Sequence, residues 1–199
     1  MSAPALLCGD LVRPARPGDA PMMAAVEMLT APEFARFVFE DLIPDLSAGA
    51  LMSQLYGGDG PDGWRWSWIA EAEGETVGAL TAYPTRLLGA VDPQDPAAGR
   101  LAHLAGFAAL TPKNALHISR LGVLEGFRGR GLARALISAA LLRAAREEAE
   151  RVSLFVWADN APARALYASL GFRPSGRVEI APHPRLTRHG ESLLMTRPV

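Results

Sequence analysis

The residues most suited to chemistry lie in one run, Leu-Gly-Val-Leu-Glu-Gly-Phe-Arg-Gly-Arg-Gly-Leu-Ala over positions 121–133. Gly126, Gly129 and Gly131 let the backbone approach a ligand closely, and Arg128 and Arg130 add cationic reach. A long helical pattern starts at once. Its first turn carries unpaired N–H groups and the positive end of the dipole, which together suit a phosphate. A Walker loop would need Gly-Lys-Ser/Thr after the glycines, and none is present. A dinucleotide fingerprint would need glycine at 134, where Arg134 stands, and an acidic partner on a following strand. On these residues alone, a glycine-rich turn that merely opens a helix remains the other reading. A second run of chemical interest is Asp-Asn-Ala-Pro-Ala-Arg-Ala-Leu-Tyr-Ala-Ser-Leu-Gly-Phe over 159–172, with Asn160, Arg164 and the phenol of Tyr167.

The elements that must position these runs follow from periodicity. A strand is predicted over 11–16 and a helix over 20–29, with Asp19 as N-cap and Pro21 in the first turn. Helical spacing runs through 33–56 and breaks near Pro44. Trp64, Trp66 and Trp68 alternate with Arg65 and Ser67, so 64–83 reads as a hairpin turning at Glu73-Gly74-Glu75, with the indoles on one face. Those indoles wall an apolar pocket or pack the sheet. Residues 84–114 form a Pro- and Gly-containing excursion with a short helix near 97–110. A strand over 116–124 leads into the glycine run, and a helix over 131–150 follows, with Arg143/Glu147 and Arg146/Glu150 as i,i+4 pairs. A strand over 151–157 precedes a helix capped by Asn160 and ended by Gly171. Strands over 172–180 and 191–196 complete the order. Mixed strands with helices between them indicate an α/β (α+β) layered fold, and the 64–83 hairpin excludes an all-parallel sheet.

Composition narrows the function classes. The chain has 199 residues, 49% hydrophobic, with 20 Lys plus Arg against 21 Asp plus Glu and a formal net charge of −1. That length suits a single domain over 1–199, with 1–10 as a loose tail. The balanced charge gives no support to nucleic-acid binding. One cysteine, Cys8, excludes an intrachain disulfide and a cysteine zinc site, and four histidines without a ligand motif make no case for a metal. The N-terminus shows no signal-peptide pattern and no stretch is long and apolar enough for a membrane span, so a cytoplasmic protein is expected.

Taken together, Arg128-x-x-Gly131-x-Ala133 and Asn160 through Phe172 resemble the GNAT superfamily of acyl-CoA-dependent N-acetyltransferases. The first matches the pyrophosphate signature Gln/Arg-x-x-Gly-x-Gly/Ala and the second matches Asn-x-x-Ala-x-x-Leu-Tyr-x-x-x-Gly-Phe. The opening Val12-Arg13-Pro14-Ala15 with Gly18-Asp19-Ala20 is similar to a GNAT start. The resemblance implies a mixed, mostly antiparallel sheet of about seven strands, splayed between the fourth and fifth, with helices on both faces. It implies acetyl-CoA as co-substrate and a primary amine as acceptor. Arg128, Gly129, Arg130, Gly131, Leu132 and Ala133 would hold the pyrophosphate. The backbones of Leu121, Gly122 and Val123 would pair with the pantetheine arm, and Asn160, Ala163 and Arg164 would line the facing wall. Tyr167 matches the family's general acid, and the Val123 N–H would serve the oxyanion. His117 stands where some members carry a basic Glu, and a water chain is the alternative base. The acceptor site would be shaped by 30–60, 84–114 and 177–192, with the 84–114 excursion favouring a small molecule over a protein tail. A non-catalytic acyl-CoA sensor and acetylation of a protein amine are the other readings, and dimerisation is common in the family.

Overall fold

The computed structural model describes residues 11–199; the expected 1–10 tail and Cys8 lie outside the described residues. In chain order the elements are β1 (Leu11–Pro14), α1 (Ala20–Thr30), α2 (Pro32–Phe39), α3 (Ala48–Tyr56), β2 (Ser67–Ala72), β3 (Glu75–Pro84), α4 (Ala98–His103) and α5 (Ala105–Leu110). They continue with β4 (Ala115–Val123), α6 (Leu132–Arg146), β5 (Arg151–Trp157), α7 (Ala161–Ser169), β6 (Arg173–Ile180) and β7 (Gly190–Pro198). One seven-stranded sheet runs in the order β1-β2-β3-β4-β5-β7-β6. Its β4–β5 pair is parallel and every other pair is antiparallel. Among the described residues no helix is long and apolar enough to cross a membrane.

Alternation along the strands divides the core between two faces. Ala70, Leu80, Ala82, Leu116 and Ile118 point to the side covered by α6, which buries Leu132, Leu136, Ile137, Ala140 and Ala144. This i, i+4, i+5, i+8, i+12 stripe is one face of a helix, and each large member contributes about 1.5–3 kcal/mol on burial. Ile69 and Ala79 point the other way, onto Met23 and Val26 of α1 and Met52 and Tyr56 of α3. A third cluster joins Phe37, Trp157 and Ile180, with Leu101 of α4, Leu104 at the junction and Phe107 of α5 packed against it.

Several local expectations are revised. The tryptophan alternation is not a strand. Trp64–Trp66 forms a 3-10 turn after Gly63, and β2 starts at Ser67. A Cβ on Gly63 would meet the Gly58 carbonyl oxygen at 2.1 Å, so the approach needs glycine. The indoles therefore split between faces. Trp64 packs with the α1–α3 cluster and Trp68 with the α6 cluster, while the Arg143 guanidinium lies 4.5 Å over Trp66. Asp19 does not cap α1 through its side chain; it takes both Nη atoms of Arg13, at 2.7 and 2.9 Å, and the Arg16 N–H at 2.7 Å. The 97–110 helix is two short helices meeting at Leu104. The long helix stops at Arg146, because Glu148 turns left-handed (φ +53°) and the Ala149 N–H returns to the Ala144 carbonyl. Arg143 and Glu147 pair at 2.8 Å, while Glu150, past the helix end, accepts from Asn114 Nδ2 at 3.1 Å.

Candidate active site

The site begins where the two central parallel strands part. β4 and β5 pair from Ala115↔Arg151 to Ile118↔Leu154 and no further. Arg120 faces Thr81 on β3 and Ile118 faces Ala82, so Ser119 is an extra residue, a bulge at the point of divergence. Beyond it, β4 keeps only its β3 partner. The Leu124 N–H donates to the Val77 carbonyl at 2.8 Å. Backbone groups alternate along a strand, so the N–H and C=O of Leu121 and Val123 face the gap and those of Gly122 face β3. Gly122 has a further task. A Cβ there would meet Thr30 Cγ2 at 2.7 Å and Val26 Cγ1 at 2.9 Å, so its glycine seats α1 on the sheet.

At the end of β4 the chain makes a short 3-10 turn at Glu125–Phe127 and enters α6 through two left-handed glycines, Gly129 (φ +78°) and Gly131 (φ +87°). Residues with a Cβ adopt that conformation reluctantly. Among the described residues no main-chain acceptor takes the N–H groups of Gly129, Gly131, Leu132, Ala133 or Arg134. These donors face a cleft of about 650 Å³ that runs along the free edge of β4 to Tyr167. Arg128 Nε donates to the Val123 carbonyl at 3.1 Å, tying the loop to the strand end.

Most of the residues expected at the co-substrate come together on this cleft: Leu121, Gly122, Val123, Arg128, Gly129, Gly131, Leu132, Ala133, Asn160 and Ala163. Arg130 and Arg164 are not among its lining residues. The Arg130 guanidinium pairs with Glu73 at 2.7 Å, and Arg164 donates to the Ala158 carbonyl at 2.7 Å. Asn160 caps α7 by accepting the Ala163 N–H at 3.2 Å, so its carboxamide has a structural task as well.

Tyr167 is 9% exposed and lines the cleft. Burial pushes its phenol up to about 12, because the phenolate loses hydration there. His117 lies across the sheet. Its Nδ1 sits 3.0 Å from Ser153 Oγ, and its ring packs against Tyr83 and Phe155. Burial lowers it to about 4, because the imidazolium loses its hydration there.

A second cavity, about 480 Å³, opens on the α1–α5 side and includes His117 in its wall. Ile118, Ser119, Phe155, Val156 and Trp157 line both spaces, so the two meet at the splay. Leu101, Leu104 and Phe107 bring α4 and α5 over the second one. Its wall includes Glu27, which no motif had singled out. Glu27 Oε2 accepts from Arg120 Nε at 2.8 Å, and Arg120 Nη2 reaches Asp62 Oδ1 at 2.9 Å. The Arg120 guanidinium also stacks 3.7 Å from the Tyr56 ring centroid. The signal for Glu27 was present but quiet: it is the lone charged residue in an otherwise apolar α1.

The sequence profile of the acetyltransferase (GNAT) family matches residues 58–172. That span holds the splay, the glycine loop and Tyr167, and the chain belongs to this family, whose members use acetyl-CoA as co-substrate. Solved structures agree in fold. A crystal structure titled only as an acetyltransferase superposes with a TM-score of 0.67 at 23% identity, covering 95% of this chain and 99% of that one. An N-acetyltransferase from Staphylococcus aureus gives 0.65 at 18% identity, covering 94% and 100%. An agmatine N-acetyltransferase gives 0.66 at 17% identity, covering 96% and 100%. Among curated proteins, a mycothiol acetyltransferase of Corynebacterium aurimucosum is 46% identical over 52 residues, 26% of this chain and 17% of that protein. One from Beutenbergia cavernae is 50% identical over 54 residues, 27% and 18%. The matched stretch is thus under a fifth of either relative.

Proposed function

We propose that this chain is one acetyltransferase domain that moves an acetyl group from acetyl-CoA to the primary amine of a small molecule, by direct attack in a ternary complex. The observation that carries this reading is the continuity of one cleft. Unclaimed amides at the start of α6, an unpaired β4 edge and a buried phenol lie along it in the order of a diphosphate, a peptide-like arm and a thioester. Extended ligand groups satisfy a free strand edge as another strand would.

The chemistry follows from those groups. The neutral amine nitrogen attacks the thioester carbonyl, and the Val123 N–H, which faces the gap, stabilises the developing oxyanion. The C–N bond forms, the intermediate collapses and the C–S bond breaks. The departing sulfur takes a proton from the Tyr167 hydroxyl, which makes no hydrogen bond to another described residue and stays protonated at working pH. His117 is neutral in that range, and an imidazolium of pKa about 4 holds the proton of an alkylammonium poorly. Its place is a hydrogen-bonded wall of the acceptor side.

The α4–α5 cover over the second cavity favours a small acceptor over a protein tail. The test is calorimetric titration with acetyl-CoA, followed by amine-dependent release of free CoA thiol. Saturable binding with amine-dependent thiol release supports the reading, binding without turnover of any amine leaves an acyl-CoA sensor, and absence of binding overturns it.

A further inference from the structure

We propose that the cavity beneath α4 and α5 is an acceptor site for primary amines with a compact aryl or branched-alkyl body, and that Glu27 receives the ammonium and takes its first proton. The proposal rests on the acetyl-transfer reading above and deepens it.

Shape and charge carry it. The wall is built from Phe34, Leu88, Leu101, Leu104, Phe107 and Trp157, which offer dispersion and ring contacts and few hydrogen bonds. Thr111, Ser192 and His117 add a few polar contacts, and a strongly polar acceptor would lose more water there than they replace. At Glu27 the polarity of the wall reverses. Two carboxylates, Glu27 and Asp62, share the single guanidinium of Arg120, so the cluster keeps one excess negative charge. An ammonium entering from the apolar side balances it. Ser119, which lines both cavities, donates to Asp62 Oδ1 at 3.1 Å and ties this cluster to the splay where the thioester would arrive.

The groups that face Glu27 are Arg120 from β4, Asp62 from the loop before β2, Tyr56 from α3, Tyr83 from β3 and Glu33 from α2, with His117 on the same cavity wall. Burial lifts the Glu27 carboxyl above the usual carboxylate range, and Arg120 pulls it partly back. That is the direction a proton acceptor needs. The protons balance. An alkylammonium begins with three N–H bonds and the amide product keeps one. The first proton goes to Glu27 and then to water, and the second leaves the N-protonated amide formed when the C–S bond breaks and restores the Tyr167 phenolate that has protonated the sulfur.

The experiment measures kcat/KM on the full chain with saturating acetyl-CoA for 2-phenylethylamine, isoamylamine, ethanolamine and an alanine-terminated hexapeptide. The two apolar amines should exceed the other two at least tenfold. Ala105→Trp, an exposed lining position, should cut the 2-phenylethylamine value more than tenfold and leave the acetyl-CoA Kd unchanged. Glu27→Gln should lose about 100-fold at pH 7 and recover toward pH 10 as free amine accumulates. Glu27→Asp, which keeps a charge for Arg120, should return to within tenfold. Ethanolamine or the peptide matching 2-phenylethylamine, with acetyl-CoA bound normally, overturns the acceptor assignment alone. A Glu27→Gln deficit equal at pH 7 and pH 10 overturns the proton transfer. Failure to bind acetyl-CoA overturns the transferase reading, and this one with it.

Discussion

Ile118 and Leu154 form the last pair between β4 and β5, and the next residue, Ser119, is the bulge that turns β4 away. The gap therefore opens at a defined residue. The residues proposed for the co-substrate sit after that pair, and the second cavity meets the cleft at it.

The anion site should be sensitive to any Cβ at Gly131. Its φ of +87° makes a side chain there costly by about 1–3 kcal/mol. Gly131→Ala should lower the midpoint of urea unfolding. Gly131→Glu should additionally weaken acetyl-CoA at least tenfold, about 1.4 kcal/mol, by setting a carboxylate against the diphosphate. Calorimetry separates the two effects.

Tyr167→Phe keeps the ring and removes the proton donor. Its kcat should fall about 100-fold with the acetyl-CoA Kd unchanged. Because burial raises the phenol to about 12, wild-type kcat should show no loss of this acid up to pH 10. The same shift stabilises the fold below the ordinary phenol pKa of 10, and that contribution disappears as pH climbs through 12. A kcat profile across pH 6–10 checks the first point.

His117 gives the opposite pH signature. Its pKa drops from 6.5 to about 4 on folding, so the folded state disfavours the imidazolium. Stability is full above pH 6.5 and falls as pH drops toward 4, by on the order of 3 kcal/mol. His117→Gln should flatten that slope in urea midpoints measured between pH 7 and 4. Its kcat at pH 7 should stay within about tenfold of wild type, since a neutral wall residue gives up no proton.

Gly122→Ala probes the seat of α1. The added methyl meets Thr30 and Val26 below 3.0 Å, and overpacking of that kind costs about 1–3 kcal/mol. Thermal unfolding should report that loss, with acetyl-CoA binding weakened because the β4 edge shifts.

The glycine loop and the Asn160-capped helix were legible because their spacing is local. Arg128, Gly131 and Ala133 fall within one loop and one helical turn, and Asn160 to Phe172 is one helix with its cap and stop. The sheet, with its parallel β4–β5 pair, follows from the same motifs. What escaped was tertiary. Glu27 and Asp62 meet Arg120 across 93 and 58 residues of chain, and no local pattern announces such a cluster. The tryptophan run failed for a different reason: alternation suits a strand or a tight turn, and the Gly58–Gly63 approach decides for the turn. The overlong α6 reflects a Glu- and Arg-rich tail with good helix propensity, overruled by the left-handed Glu148 that sends the chain into β5.

The central claim is that main-chain donors at the start of α6 hold the diphosphate of acetyl-CoA. Amide chemical shifts of nitrogen-15-labelled protein, followed during titration with acetyl-CoA, read those donors individually. The account expects saturable shifts for Gly129, Gly131, Leu132, Ala133 and Arg134, and for Leu121 and Val123 on the free strand edge. Binding that leaves these amides unmoved while others respond, or no binding at all, would contradict it.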